Sequence, residues 1–161
     1  MKHNRKMKLL FVCLGNICRS PAAEGIFKHL VEVNQQQHRF EVQSAGIGHW
    51  HVGQLPDSRM RAHGARHGYR FDSRAQQFTP DDFDRYDIII VMDRQNASDI
   101  KSMARWPMDL SKVRLIGEYL RHHPLFDHVP DPYYGSDDQF ELVIELLEDA
   151  CQGLFDELMK K

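Results

Sequence analysis

The apolar run Lys8-Leu9-Leu10-Phe11-Val12 breaks into Cys13-Leu14-Gly15-Asn16-Ile17-Cys18-Arg19-Ser20, and Pro21 then opens a stretch with helical spacing. A strand, a glycine-containing loop and a helix in immediate succession form the opening unit of a βαβ fold, which constrains everything that follows. Ser20 is the expected N-cap and Pro21 the first helical residue, since a hydroxyl can satisfy an orphan N–H and proline has none to lose. Ala23, Ile26, Phe27 and Leu30 recur every three or four residues, so this helix lays one face on a sheet.

The alternation continues along the chain. Phe40 to Ala45 reads as a second strand closed by Gly46 and Gly48, and Asp57 to His67 as a helix with Gly68 as its stop. The run Tyr86-Asp87-Ile88-Ile89-Ile90-Val91-Met92 is continuous rather than alternating, as expected of a central parallel strand covered on both faces. A helix from about Arg94 to Met103 and a weaker strand around Val113 to Ile116 should follow. Phe140, Val143, Ile144, Leu147, Cys151, Leu154 and Leu158 then fall on one stripe of a last helix, with Ser136 and Gln139 placed as a capping box. Gln35-Gln36-Gln37 reads as a loop. The expected fold is α/β: one domain over residues 1–161, doubly wound, with four parallel strands and helices on both faces. Such sheets bind ligands beyond the carboxyl ends of their strands, which directs attention to the loop after the first strand.

With 161 residues, 42% of them hydrophobic, the chain can bury a full core as one unit. A formal net charge of -2 gives no reason to expect nucleic acid or an anionic membrane as partner. The basic start followed by Leu9 to Leu14 superficially suggests a signal peptide, but Arg19 and Glu24 interrupt it, and no later run approaches the roughly 20 apolar residues of a membrane span. A soluble, cytoplasmic protein is expected. Three cysteines, an odd number, fit a reducing compartment better than a disulfide framework.

In the loop, each residue type suits one task. A thiol at a helix N-terminus beside an arginine is stabilised as the thiolate, so Cys13 is a candidate nucleophile. Gly15 and Asn16 tolerate left-handed backbone, which lets the N–H groups of Leu14 to Cys18 form an anion cradle. Arg19 adds a planar fork matching two phosphoryl oxygens, and Ser20 can donate to the Cys13 sulfur. The bland alternative makes Cys13 and Cys18 small buried residues at an ordinary turn. Strand, glycine, Arg-Ser and helix in register favour the cradle. A nucleotide-binding loop is disfavoured because the lysine of G-x-x-x-x-G-K-[ST] is missing.

Val12-Cys13-Leu14-Gly15-Asn16-Ile17-Cys18-Arg19-Ser20-Pro21 resembles the signature of the low-molecular-weight protein tyrosine phosphatases. Ser44-Ala45-Gly46, Trp50-His51, Pro56-Asp57, Val91-Met92-Asp93 with Asn96, and Asp131-Pro132-Tyr133-Tyr134-Gly135 match in order over nearly the whole chain. The resemblance implies hydrolysis of phosphotyrosine through a cysteinyl-phosphate on Cys13, clamping by Arg19, and no metal or cofactor. It also implies that Asn16, Ser44 and Asp93 support the loop and the acid. Phosphotyrosine proteins are the implied partners, a tyrosine kinase a further one, and a monomer or weak dimer the expected state. The stretch Ser73-Arg74-Ala75-Gln76 departs from the His and Arg of many members, which questions the supporting contacts there.

A phenolate leaves more easily if a proton reaches its oxygen, and Asp131, stiffened by Pro132, is the candidate general acid. Without the resemblance, Asp-Pro-Tyr-Tyr-Gly would read simply as a turn. Trp50, Tyr133 and Tyr134 are candidate walls of a slot for an aromatic ester, with Tyr134 the one most open to being mere filler. His63 and His67 lie one helical turn apart but lack a third metal ligand and read as surface residues. His49, His51, His122 and His123 read as loop residues, and Cys151 as core.

Rival functions can be set against particular residues. Arsenate reductases of this fold need further redox cysteines, and residues 71–100 contain none. Protein-arginine phosphatases favour Thr where Ile17 stands and lack the tyrosine pair. A non-catalytic phosphotyrosine-binding module would not need Cys13, Arg19 and Asp131 together. Cys18 could also trap an oxidised Cys13 as a disulfide, a secondary redox property.

Overall fold

The computed structural model describes residues 5–160. Strand β1 (Met7–Cys13) lies between β2 (Phe40–Gly46) and β3 (Ile88–Val91), with β4 (Val113–Leu115) outside β3, in the order β2-β1-β3-β4. Every pairing is parallel, with Leu9 opposite both Val42 and Ile88 and Cys13 opposite Gly46. Because side chains alternate across a strand, Leu9, Phe11 and Cys13 enter one core while Leu10 and Val12 enter another. The first core is closed by α1 (Arg19–Val33), α2 (Ser58–Arg66) and α6 (Asp137–Met159). The second is closed by α3 (Asp82–Arg85) and α4 (Arg94–Lys101), and α5 (Pro107–Ser111) leads into β4. Helices therefore cover both faces of a parallel sheet, as expected for a doubly wound fold. Phe27 of α1 anchors the larger core, its ring 5.6–5.8 Å from those of Phe11, Phe40 and Phe155. Fully burying such a side chain contributes roughly 1.5–3 kcal/mol. Among the described residues, no helix is long and apolar enough to cross a membrane.

Several boundaries differ from those expected. Helix α1 begins at Arg19 with Cys18 at the N-cap, so Ser20 and Pro21 lie inside the first turn. Ser20 Oγ is committed elsewhere, 3.0 Å from Cys13 Sγ, and cannot cap. Ser136 occupies the N-cap position of α6, yet its side chain makes no capping bond and the capping box does not form. Helices α3 and α5, with four and five residues, are too short to show a period and were not legible in the sequence. Strand β3 starts only at Ile88, because the Asp87 carboxylate turns to accept from the Lys8 N–H at 2.8 Å. Helix α2 ends where expected, with Gly68 at a left-handed φ of 85°.

The loop after β4 is fastened at its start by the buried Asp149 of α6, which accepts from the N–H groups of Arg121 and His122 and lies 2.8 Å from His123 Nδ1. Burial raises the Asp149 pKa, but His123 and the two N–H bonds outweigh it and leave the carboxyl below its usual range.

His63 is not a surface residue: it is 3% exposed, stacks on Phe140, and places Nδ1 3.1 Å from Glu141 Oε1. His67 reaches the other oxygen of Glu141, so α2 and α6 are joined by a shared carboxylate. For His67, burial favours the neutral ring, but Glu141 and Glu148 outweigh it and raise the folded-state pKa. The hydrogen bond from His63, followed by that from His67, lowers that of Glu141. A raised histidine stabilises fully below its ordinary value near about 6.5 and loses this as pH rises through the folded value. A lowered glutamate stabilises above about 4.3 and loses this as pH falls. The pair should therefore help most between about pH 4.5 and 6.5. His67→Ala is expected to cost roughly 0.5–1 kcal/mol at pH 5.5, the scale of a partly exposed ion pair, and much less at pH 8.5. Urea unfolding midpoints at the two pH values measure this, and an equal cost at both would refute the linkage.

Candidate active site

At the carboxyl end of β1 the chain turns into α1 through Leu14 to Cys18. Among the described residues, the main-chain N–H groups of Leu14, Gly15, Asn16, Ile17 and Cys18 donate to no protein acceptor. Consecutive N–H groups left unsatisfied at a helix N-terminus form a concave, partly positive nest suited to an anion. Asn16 supplies the left-handed turn, at φ 57°, whereas Gly15 does not adopt a positive φ. The loop lies close on β2: a Cβ on Gly46 would come within 2.9 Å of the Gly15 carbonyl carbon, so that position must be glycine.

Cys13 Sγ lies at the floor, 3% exposed, 3.0 Å from Ser20 Oγ and 3.4 Å from the Ser20 N–H. Behind it runs a chain of polar side chains. Asn16 Nδ2 donates to Ser20 Oγ at 2.8 Å and to Ser44 Oγ at 2.9 Å, and Ser44 donates to the buried Glu24 carboxylate at 2.6 Å. The Asn16 carbonyl accepts from the Gln76 N–H at 3.0 Å, while Gln76 Nε2 donates to the Ser44 carbonyl. The departure at Ser73–Gln76 thus leaves loop support in place, because most of it comes through main-chain atoms.

Arg19 is almost fully buried, and its Nη1 donates to Asp93 Oδ2 at 2.6 Å and to the Val129 carbonyl at 3.0 Å. The other Asp93 oxygen caps α4 by accepting from the Asn96 N–H at 2.7 Å, so one carboxylate fixes both a helix and the guanidinium. Burial pulls the Arg19 pKa down, but Cys13 and Asp93 outweigh it and hold it above the usual value. Asp131 lies across the mouth: Oδ1 accepts from the Tyr133 N–H at 3.1 Å and Oδ2 sits 3.8 Å from Arg19 Nη2. Cys18 flanks the floor as a buried thiol whose pKa is pushed well up, by burial first and then by Asp57 and Cys13.

The resulting cavity, about 320 Å³, brings Cys13, Arg19 and Asp131 together with Trp50, Tyr133 and Tyr134. The three aromatics are unequal. Tyr133 is half-buried, with Arg59 over its ring at 5.6 Å and donating to its carbonyl at 3.1 Å. Trp50 is 61% exposed, and Tyr134, 95% exposed, touches Tyr133 edge-on at 4.9 Å. Ser44 and Asp93 do not line the cavity; they act behind it. Sequence reasoning missed Glu24, His51 and Arg59. A glutamate beside Ala22 and Ala23 on a helix already assigned to the core was the available signal for Glu24. His51, read as a plain loop residue, forms part of the cavity wall next to Tyr133. Nothing in the sequence pattern singled out Arg59. Among the described residues, no cluster of three or more His, Cys, Asp or Glu side chains is arranged to hold a metal ion.

A parallel doubly wound sheet with a buried thiol, an arginine and unpaired N–H groups at the end of its first strand defines a class of α/β proteins built to handle tetrahedral oxyanions. The sequence model described as low molecular weight phosphotyrosine protein phosphatase matches residues 8–161, and the chain belongs to that family. A putative low molecular weight protein-tyrosine-phosphatase of Synechocystis is 44% identical over 155 residues, covering 96% of this chain and 98% of that protein. A protein tyrosine phosphatase from Entamoeba histolytica, crystallised with Hepes in its active site, superimposes with a TM-score of 0.93 at 39% identity, over 96% of this chain and 98% of its own. A Drosophila arginine phosphatase superimposes with a TM-score of 0.86 at 32% identity, over 94% and 98% of the two chains. The fold alone therefore does not distinguish a phosphate ester from a phosphoguanidinium substrate, and the cavity walls must.

Proposed function

We propose that the protein hydrolyses phosphotyrosine in proteins, with Cys13 as nucleophile, Arg19 as phosphate clamp and Asp131 as general acid and then base. The observation that carries this is the run of five unpaired N–H groups between Cys13 and Arg19, two residues whose side chains line the same cavity. Phosphoryl oxygens take these N–H groups. The sulfur–phosphorus bond forms as the bond to the phenolic oxygen breaks, and Asp131 gives that oxygen its proton. Water then attacks phosphorus, Asp131 takes the water proton, and the sulfur leaves as thiolate. The aromatic walls and Ile17 favour an aryl ester over a phosphoguanidinium group. The match of one family model to residues 8–161 supports a single catalytic domain over residues 1–161, with a monomer or weak dimer as the expected state. The odd cysteine count supports a reducing, cytoplasmic setting, where a tyrosine kinase would supply the substrate.

The deciding experiment compares hydrolysis of phosphotyrosine, phosphoserine and phosphoarginine peptides of matched sequence. Clear preference for phosphotyrosine is expected, and preference for phosphoarginine would transfer the site to the other substrate class. Arg19→Lys tests the clamp. With Nη1 tied to Asp93 and Val129, Arg19 keeps Nε and Nη2 for two oxygens, which a lysine cannot imitate despite equal charge. Its kcat/KM should fall by about 10²- to 10³-fold with weakened inhibition by inorganic phosphate. Near-parent kinetics would show that charge alone suffices.

A further inference from the structure

Residues 69–75 run beside α1 and α2 with alternating side chains: Phe71 and Ala75 are buried, while Arg70, Asp72 and Arg74 face outward. The placement is fixed by Phe71, whose ring packs so close to Gly25 and Gly64 that a Cβ on either would come within 2.5 Å of it. Arg70, Arg74 and Arg61 of α2 line a groove of about 460 Å³, with Leu55 and Tyr69 as its apolar flank. One loop contributes to both the groove and the catalytic cavity: His51 lines the cavity and Leu55, four residues on, lines the groove.

Two of the three guanidinium groups are held by main-chain carbonyls without being neutralised. Arg61 Nε donates to the Pro56 carbonyl at 3.0 Å and Arg74 Nη1 to the Gly53 carbonyl at 3.1 Å, and among the described residues neither has a carboxylate partner. Only Arg70 meets an acid, Asp72, through an exposed 3.3 Å contact. Three cations against one anion form a local surplus on a chain whose formal net charge is -2. Guanidinium groups tethered to main-chain carbonyls keep their remaining N–H donors in fixed directions, which suits the several oxygens of a phosphoryl dianion better than a single carboxylate.

We propose that this groove holds a second phosphotyrosine of the same substrate chain while the first occupies the catalytic cavity, an inference that rests on the activity proposed above. The three arginines take its phosphoryl group, and Leu55 and Tyr69 flank its ring. The protein is then selective for doubly phosphorylated segments of a particular spacing.

The test measures binding of fluorescent peptides to Cys13→Ser, and KM on the otherwise unaltered enzyme. The peptides carry one phosphotyrosine, two at spacings of one to eight residues, or one with glutamate in place of the second. The doubly phosphorylated peptide is expected to bind about tenfold more tightly at a preferred spacing, the effect of one well-placed charge-assisted contact. The advantage should shrink with added salt, be small for glutamate, and vanish when Arg61, Arg70 and Arg74 are all changed to glutamine. Hydrolysis of nitrophenyl phosphate should be unchanged in that variant. Because Arg61 also braces Pro56, an Arg70→Gln, Arg74→Gln double variant accompanies it and should lose most of the advantage. Equal affinity for single and double phosphopeptides at every spacing, an equal gain from glutamate, or an advantage that survives both variants would overturn the proposal. Failure to cleave the singly phosphorylated peptide would count against the catalytic reading alone, since binding is measured without turnover.

Discussion

Cys13→Ser is expected to lose turnover of aryl phosphates by a factor on the order of 10⁵–10⁶, the loss that follows removal of a covalent nucleophile, while still binding inorganic phosphate. The two effects separate because they belong to different atoms. On the proposed mechanism the anion is held by the N–H groups of Leu14 to Cys18 and by Arg19, none of which changes when a sulfur becomes an oxygen. Attack on phosphorus depends on the deprotonated nucleophile, and a serine hydroxyl at neutral pH is overwhelmingly protonated. The parent should show a burst of phenol when breakdown of the intermediate is slow, and the variant should show none. Chelators are expected to leave the parent's rate unchanged. Cys151→Ser serves as a control, since that thiol is enclosed in the core. Substantial activity in Cys13→Ser would place the nucleophile elsewhere.

What the sequence revealed about the fold follows from which forces leave a local trace. Continuous apolar runs at Leu9–Val12 and within Tyr86–Met92 and the stripe from Phe140 to Leu158 record burial directly, and each marks an element that forms, although β3 is confined to Ile88–Val91. Capping is decided by competition between partners, which the one-dimensional pattern hides. Ser20 has the chemistry of an N-cap, but a thiol and an asparagine in the folded loop claim its hydroxyl first. His63 looked like a surface residue because its partner, Glu141, is 78 positions away.

The candidate site divides in the same way. Cys13, Arg19 and Ser20 sit in one contiguous loop, so their meeting is nearly guaranteed by a strand-to-helix turn. Asp131 joins them from a loop that Asp149 fastens at its start and that Val129 ties to Met92 and Arg19 two residues before it. Glu24 was invisible as a supporting residue because its role depends on Ser44, which reaches it only after β2 pairs with β1.

Asp131→Ala is expected to slow phosphotyrosine cleavage by about 10²- to 10⁴-fold, the usual range for general acid catalysis, and to slow a nitrophenyl ester much less. The reason lies in the leaving oxygen. A phenolate of pKa about 10 gains greatly from a proton in the transition state, whereas nitrophenolate is stable without one. The geometry sets the two Asp131 oxygens apart: Oδ1 is held by the Tyr133 N–H, and Oδ2 projects over the mouth 3.8 Å from Arg19. The measurement is the rate for both esters on both proteins, under conditions where transfer to Cys13 limits the rate. An equal loss for the two esters would mean that Asp131 only shapes its loop, and that another group supplies the proton.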